Sequence, residues 1–155
     1  MAEMETKILT IGKSDPPECV GEKLACAGSI IRQGGLVAFP TETVYGLGGD
    51  ALNPQSSRKI YAAKGRPSDN PLIIHIADMA HLERIVRAIP EKAQKLADAF
   101  WPGPLTMIFE KAAVVPDQTT GGLDTVAGRM PGHPLAQRFI QEAGGYVAAP
   151  SANLS

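Results

Sequence analysis

Pro40 to His75 reads PTETVYGLGGDALNPQSSRKIYAAKGRPSDNPLIIH, and the second half of this stretch decides the fold class. Asn53-Pro54 is a helix start: the Asn side chain accepts a bond from an orphan amide, and the proline sits where its missing donor costs nothing. The spacing predicts a helix to about Lys64. Pro67 biases Arg66 away from helix, so Lys64-Gly65-Arg66 ends the element. Pro71 to Ile76 is then an apolar strand. Lys64 and Arg66 therefore stand between a helix end and a strand, one a compact cation and the other a planar fork, a pair that suits a polyphosphate. Basic residues in a last helical turn also offset the macrodipole, and spacing alone does not separate the two roles.

The same alternation extends in both directions. Upstream, a helix over Pro17 to Gln33 puts Val20, Leu24, Ala27, Ile30 and Ile31 on one face and stops at Gly34-Gly35, and Leu36 to Phe39 reads as a buried strand. Downstream, helices are expected from Asp78 to about Ile89 and from Pro90 to about Phe100, broken by Pro102-Gly103-Pro104. Leu105 to Phe109 and Thr125 to Met130 read as strands, separated by a loop from about Val115 to Asp124 that is long enough to be functional. A helix from Pro134 to Ala143 ends at Gly144-Gly145 and feeds a strand from Tyr146 to Ala149, which runs into Pro150-Ser151-Ala152-Asn153. Helices alternating with short apolar runs make an α/β chain.

The chain has 155 residues, 44% hydrophobic content and a formal net charge of -1, as one ordinary globular domain with no repeat, low-complexity tract or linker requires. Near-neutral charge means that nucleic-acid contact needs a local patch. An aromatic content of 5% argues against a base-stacking surface. Cys19 and Cys26 match neither a metal-ligand spacing nor a disulfide framework, which points to a reducing cytosol. Charged residues interrupt the N-terminal stretch, so no secretory signal is read there, and no apolar run reaches membrane-spanning length. The expected location is cytoplasmic, and the Asn153-Leu154-Ser155 glycosylation triplet reads as accidental.

Familiar nucleotide motifs fail. Gly12-Lys13-Ser14 is not a P-loop, because Lys7 stands where the leading glycine must be. Gly46-Leu47-Gly48-Gly49 is not a dinucleotide fingerprint, because Ala51 occupies the third glycine position, although its glycines allow close approach of a ligand to backbone. His75, His81 and His133 have no Cys or acidic partner at ligand spacing, so no protein-caged metal is expected. Alternation aims His75 at the face opposite Ile74 and Ile76, whereas His81 is assigned to a solvated helix face. Asp98 and the other carboxylates fall mostly on helical patterns at surface-like positions, and spacing names no acid/base pair. Ser151 lacks the glycines of a nucleophile elbow and reads as a hydrogen-bonding group at a strand end.

PTETVYGLG, KGRPSDNPL with His75, WPGPLT, TVAGRMPGHP and PSAN, in that order, resemble the YrdC-type threonylcarbamoyl-AMP synthases over Leu36 to Ser155. That resemblance implies an α/β fold: a single open, twisted, mixed sheet with flanking helices and a concave cationic surface. It also implies one YrdC-like domain over 1–155 that lacks the family's further strand and helix past PSAN, and so is incomplete at its C-terminus. The implied reaction converts ATP, L-threonine and bicarbonate to L-threonylcarbamoyladenylate and pyrophosphate, for the t6A modification of tRNAs reading ANN codons. Carried over by motif, Lys64, Arg66, Ser151 and Asn153 are the implied catalytic residues. They line the ATP site together with Asn70 and Thr125. Thr43, His75, Arg129 and Ala149 are the implied threonine site. No metal ligand is implied, and Mg2+ would arrive on the ATP phosphates. Implied macromolecular partners are tRNA or double-stranded RNA and a t6A transferase complex, with no membrane. Two alternatives accompany this reading: an RNA-binding module without synthase activity, which the neutral charge disfavours, and carbamoyl-adenylate chemistry on another acceptor, as in the related domain of hydrogenase maturation factors.

Overall fold

Local capping chemistry sets several helix ends in the computed structural model, which describes residues 5–153. Asn53 accepts a bond from the Gln55 amide at 3.0 Å, and Gly65 closes the same helix in the left-handed region at φ 62°, where a side chain would be strained. The elements are α1 (Pro17–Arg32), β1 (Val37–Phe39), β2 (Gly46–Asp50), α2 (Pro54–Lys64), β3 (Ile73–His75), α3 (Met79–Ile85), α4 (Glu91–Phe100), β4 (Thr106–Glu110), α5 (Asp117–Thr120), β5 (Thr125–Arg129), α6 (Pro134–Glu142) and β6 (Val147–Ala149). The strands form one mixed sheet in the order β1-β2-β6-β3-β5-β4. β3 and β5 run parallel, and the other neighbours are antiparallel.

The two sheet faces are covered unequally. Ile74, Ala148, Val126, Met107 and Phe109 point to one face and pack with Ile60, Leu82, Ile85, Ala97 and Trp101 from α2, α3 and α4 and the residue after α4. Phe39, Val147 and Ala149 point to the other and pack with Leu24 and Ile31 of α1 and Phe139 and Ile140 of α6. α1 and α6 meet closely at Gly28, where an added Cβ would lie 2.5 Å from the Glu142 carbonyl. That cover does not reach β4. Ala149, Ile73, Ala127 and Ile108 form one row across four strands, yet exposure rises from 2% at Ala149 to 71% at Ile108. The second face is thus closed over β1, β2 and β6 and open over β5 and β4.

Several expectations are corrected. The strand after α1 lies at the sheet edge with Ala38 exposed, so it is not buried. The Gly-rich segment Gly46–Asp50 is a strand that the sequence reading missed. An added Cβ at Gly48 would lie 2.6 Å from Val147 Cγ1 and 2.9 Å from the Phe39 ring, so glycine there makes room for Phe39. The helix expected to reach Ile89 stops at Ile85, because Val86 is extended and pairs with Lys111. The loop between β4 and β5 contains α5, whose Thr119 hydroxyl donates to the Ala51 carbonyl at 2.7 Å. His81 is not on a solvated face: its ring lies 5.2 Å from that of Tyr146 and close enough to Gly145 that a Cβ there would meet it at 2.9 Å. Leu154 and Ser155 of the glycosylation triplet lie outside the described residues. Among the described residues, no helix is long and apolar enough to cross a membrane.

Candidate active site

Two clusters of polar side chains flank the open half of the sheet. The first gathers where α2 ends. The αL turn at Gly65 lets the chain leave the helix with Lys64 still on it and Arg66 beyond it. Lys64 Nζ donates to the Ser151 carbonyl at 2.6 Å, which joins the last residue of α2 to the segment after β6. Arg66 donates from Nε to the Asn70 carbonyl at 3.2 Å and from Nη2 to the Pro71 carbonyl at 3.0 Å. These bonds fix the guanidinium and leave its remaining N–H groups for another acceptor. Burial, and then the charge of Arg66, pull the Lys64 ammonium below its ordinary pKa. Among the described residues neither cation forms an ion pair. Two adjacent, uncompensated cations gain from an incoming anion.

Strand register brings the rest of this cluster together. Ile73 pairs with Ala149 on one side and Ala127 on the other, so Pro71, Ser151 and Thr125, each two residues further along, gather at one end of the sheet. Ser151 also bridges Gly46, and the Ala152 amide donates to the Tyr45 carbonyl at 2.8 Å. Asn70, Thr125 and Asn153 are exposed there.

The second cluster lies at the opposite end of β5, where Arg129 pairs with both His75 and Thr106. Arg129 is buried and held on three sides. Its Nε donates to the Gly103 carbonyl at 3.1 Å, its Nη1 to the Thr43 hydroxyl at 3.3 Å, and its Nη2 to the Glu42 carboxylate. The second Glu42 oxygen accepts the Gly132 amide at 2.5 Å. The turn carrying Glu42 and Thr43 is organised by Thr41, whose hydroxyl donates to the Val44 carbonyl at 2.6 Å and accepts from the Thr43 and Val44 amides at 3.2 Å each. His75 is buried, bonds the Ile73 carbonyl through Nδ1 at 3.1 Å and meets the Phe39 ring edge-on at 5.6 Å. Burial, then the charge of Arg129, push its pKa down to about 4, so the imidazole is neutral near pH 7.

The structure therefore joins Lys64 to Ser151, holds Arg66 on the Asn70 backbone, joins Thr43 to Arg129 and sets His75 beside Arg129. Ala149 is buried in β6 between the two ends, and its contact to a ligand would come through backbone. Thr125 and Arg129 are the two ends of β5, about 13 Å apart at strand rise, and alternation puts both side chains on the same face. Sequence reasoning missed Glu42. The available signal was a carboxylate in a nonhelical Pro-Thr-Glu-Thr turn, away from the surface-like helical positions to which the acidic residues were assigned. Arg129 finds an ion partner here, in buried surroundings. Among the described residues, no group of three or more His, Cys, Asp or Glu side chains is placed to hold a metal ion.

The profile of the Sua5/YciO/YrdC family, described as telomere recombination, matches residues 29–155. The chain is 56% identical over 133 residues to the threonylcarbamoyl-AMP synthase of Pyrococcus abyssi, covering 86% of this chain and 39% of that protein. It is 51% identical over 153 residues to the threonylcarbamoyl-AMP synthase of Bacillus subtilis, covering 98% and 44%. The crystal structure of P. abyssi Sua5 complexed with L-threonine superposes with a TM-score of 0.85 at 56% identity, covering 87% of this chain and 40% of that one. The chain thus spans less than half the length of these relatives. Escherichia coli YciO, at 22% identity and a TM-score of 0.75, shows the same fold. On the extent of the profile match and the identity to these relatives, the chain belongs to the Sua5/YciO/YrdC family.

Proposed function

We propose that this chain carries the substrate-binding face of a threonylcarbamoyl-AMP synthase. The observation that carries this reading is the placement of two polar clusters at the two ends of β5, which lie about 13 Å apart at strand rise. One presents free cations and the other a preformed arginine clasp. The names of the high-identity relatives and the threonine complex of one of them support it.

In this reading the α-amine of threonine and bicarbonate form a carbamate with loss of water. A carbamate oxygen then attacks the α-phosphorus of ATP, and pyrophosphate leaves. The protein's task is alignment and neutralisation of charge, and no side chain is assigned as a general base. Lys64 and Arg66 meet the phosphates, the first as a point charge and the second as a fork whose free N–H groups face outward from its backbone anchors. Ser151, Asn153, Asn70 and Thr125 hold ribose or phosphate oxygens. Mg2+ travels with the ATP phosphates. Arg129 and Thr43 receive the carboxylate of threonine, neutral His75 packs behind Arg129, and the Ala149 backbone borders the amino acid. The open face is then the concave cationic surface of the family, the adenylate feeds t6A synthesis on tRNA with its transferase partners, and the place of action is the cytoplasm.

The test is pyrophosphate release by the purified protein, measured with threonine or bicarbonate omitted in turn. Release that needs both supports the assignment. Absence of release together with steeply salt-dependent binding of double-stranded RNA would replace it with an RNA-binding role.

A further inference from the structure

Glu42 completes a charge-neutral pair in the amino-acid subsite, and the pairing has a consequence for what that subsite accepts. Arginine has five N–H donors. Three of those on Arg129 are engaged, by Gly103, Thr43 and Glu42, which leaves two. The Glu42 carboxylate receives Arg129 on one oxygen and the Gly132 amide on the other, and each oxygen retains acceptor capacity. The Glu42 side chain is 29% exposed against 9% for Arg129, so the carboxylate is the more accessible half of the pair. Gly132 is part of the arrangement, because an added Cβ there would lie 2.9 Å from Glu42 Oε2.

A simple carboxylate reaching the free N–H groups of Arg129 also meets the negative charge of Glu42. At such separation in a partly desolvated site, repulsion offsets much of the attraction to the guanidinium. His75 is neutral near pH 7 and adds no compensating cation. Among the described residues, no second ion pair reaches either partner. A ligand carrying one charge of each sign matches the pair, its carboxylate at Arg129 and its ammonium at Glu42.

We propose that Glu42 is the acceptor for the ammonium group of the amino-acid substrate, so that the Glu42–Arg129 pair selects a zwitterionic α-amino acid over the same acid without its amino group. The inference rests on the amino-acid-binding reading of this cluster. It assigns specificity to a residue outside the set carried over from the family's motifs, and it differs from a role in which Glu42 only steadies Arg129.

The experiment is calorimetric titration of the purified protein with L-threonine and with (R)-3-hydroxybutanoate, which is threonine without its amino group. The wild-type protein is expected to bind threonine more tightly by at least about tenfold, the effect of one charge-assisted bond. Glu42→Gln, which keeps the size and an acceptor oxygen but removes the charge, should weaken threonine by about tenfold or more and leave 3-hydroxybutanoate unchanged or tighter. Equal affinity of the wild-type protein for the two ligands overturns the proposal without any variant. An equal loss for both ligands in Glu42→Gln also overturns it and leaves only the steadying role. Unchanged threonine affinity in that variant does the same while the amino-acid-binding reading stands. Failure of the wild-type protein to bind either ligand removes that reading and this inference with it.

Discussion

The two polar clusters, at opposite ends of the sheet, solve opposite electrostatic problems. At the α2 end, Lys64 and Arg66 stand together without an ion partner among the described residues, their donors steadied by neutral carbonyls of Ser151, Asn70 and Pro71. At the β5 end, Arg129 is buried and already paired with Glu42. A half-exposed, uncompensated pair of cations keeps part of its hydration and becomes favourable when a polyanion arrives. A buried cation must be compensated in the folded protein itself, before any ligand binds. Substitutions at the first end should therefore change function and leave stability alone, whereas substitutions at the second should change both.

The largest expected effect is on catalysis at the α2 end. Lys64→Ala or Arg66→Ala should abolish ATP-to-pyrophosphate turnover, with the thermal midpoint close to that of the wild-type protein. Turnover at the wild-type rate in either variant would break the nucleotide assignment. Arg129→Ala should raise the KM for threonine by about ten- to a hundredfold, the loss of a charge-assisted contact, with the KM for ATP little changed. Unlike the Lys64 variant it should also unfold more easily, by roughly 3 kcal/mol, because Glu42 is left without its cation. Chemical denaturation of the two variants side by side measures the contrast, and equal stability would erase the distinction between the two ends.

His75 sharpens the same contrast through pH. Its folded pKa of about 4 lies below the unfolded value near 6.5, so between those values the unfolded chain binds more protons and folding weakens as pH falls. The contribution is complete above about pH 6.5 and is lost by about pH 4, a change on the order of 3 kcal/mol. Replacing the ionisable ring by His75→Gln should flatten the denaturation midpoint over that window, and an unaltered acid limb in the variant would show that other groups control it. The smallest effect is expected at the start of α2, where Asn53→Ala removes a cap worth about 1 kcal/mol. Lys64 is at the other end of that helix, so turnover should stay near wild type, and a large loss of turnover would mean that the helix end carrying the cations depends on its far cap.

Where structure is set by neighbours in sequence, it was legible. Asn53, Pro54 and Gly65 mark both ends of α2 because capping and αL geometry involve only the adjacent residues. α1, α4 and α6 were found by their apolar periodicity and their Pro and Gly boundaries. β2 was not, since four of its five residues, Gly46 to Gly49, read Gly-Leu-Gly-Gly and carry no alternation; its strand geometry rests on Phe39 and Val147 filling the space above the glycines. α3 ends early because Val86 finds Lys111, and the ring of His81 is enclosed by Tyr146 and Gly145. Each of these partners is distant in the chain.

The candidate site divides along the same line. Ordered motifs identified Lys64, Arg66, Ser151, Thr43 and Arg129, and the chemistry of their side chains pointed to phosphate and carboxylate. Glu42 passed unnoticed beside Thr43 because its partner is 87 residues away. By itself the sequence determined the α/β class, the main helices and the types of charge the site presents, all of which follow from local propensity and from side-chain chemistry. Only the tertiary structure decided which half of the sheet stays open, which cation is left unpaired and which carboxylate neutralises Arg129. Those depend on strand register and burial, and a charge acquires its energetic meaning only when its surroundings are assembled around it.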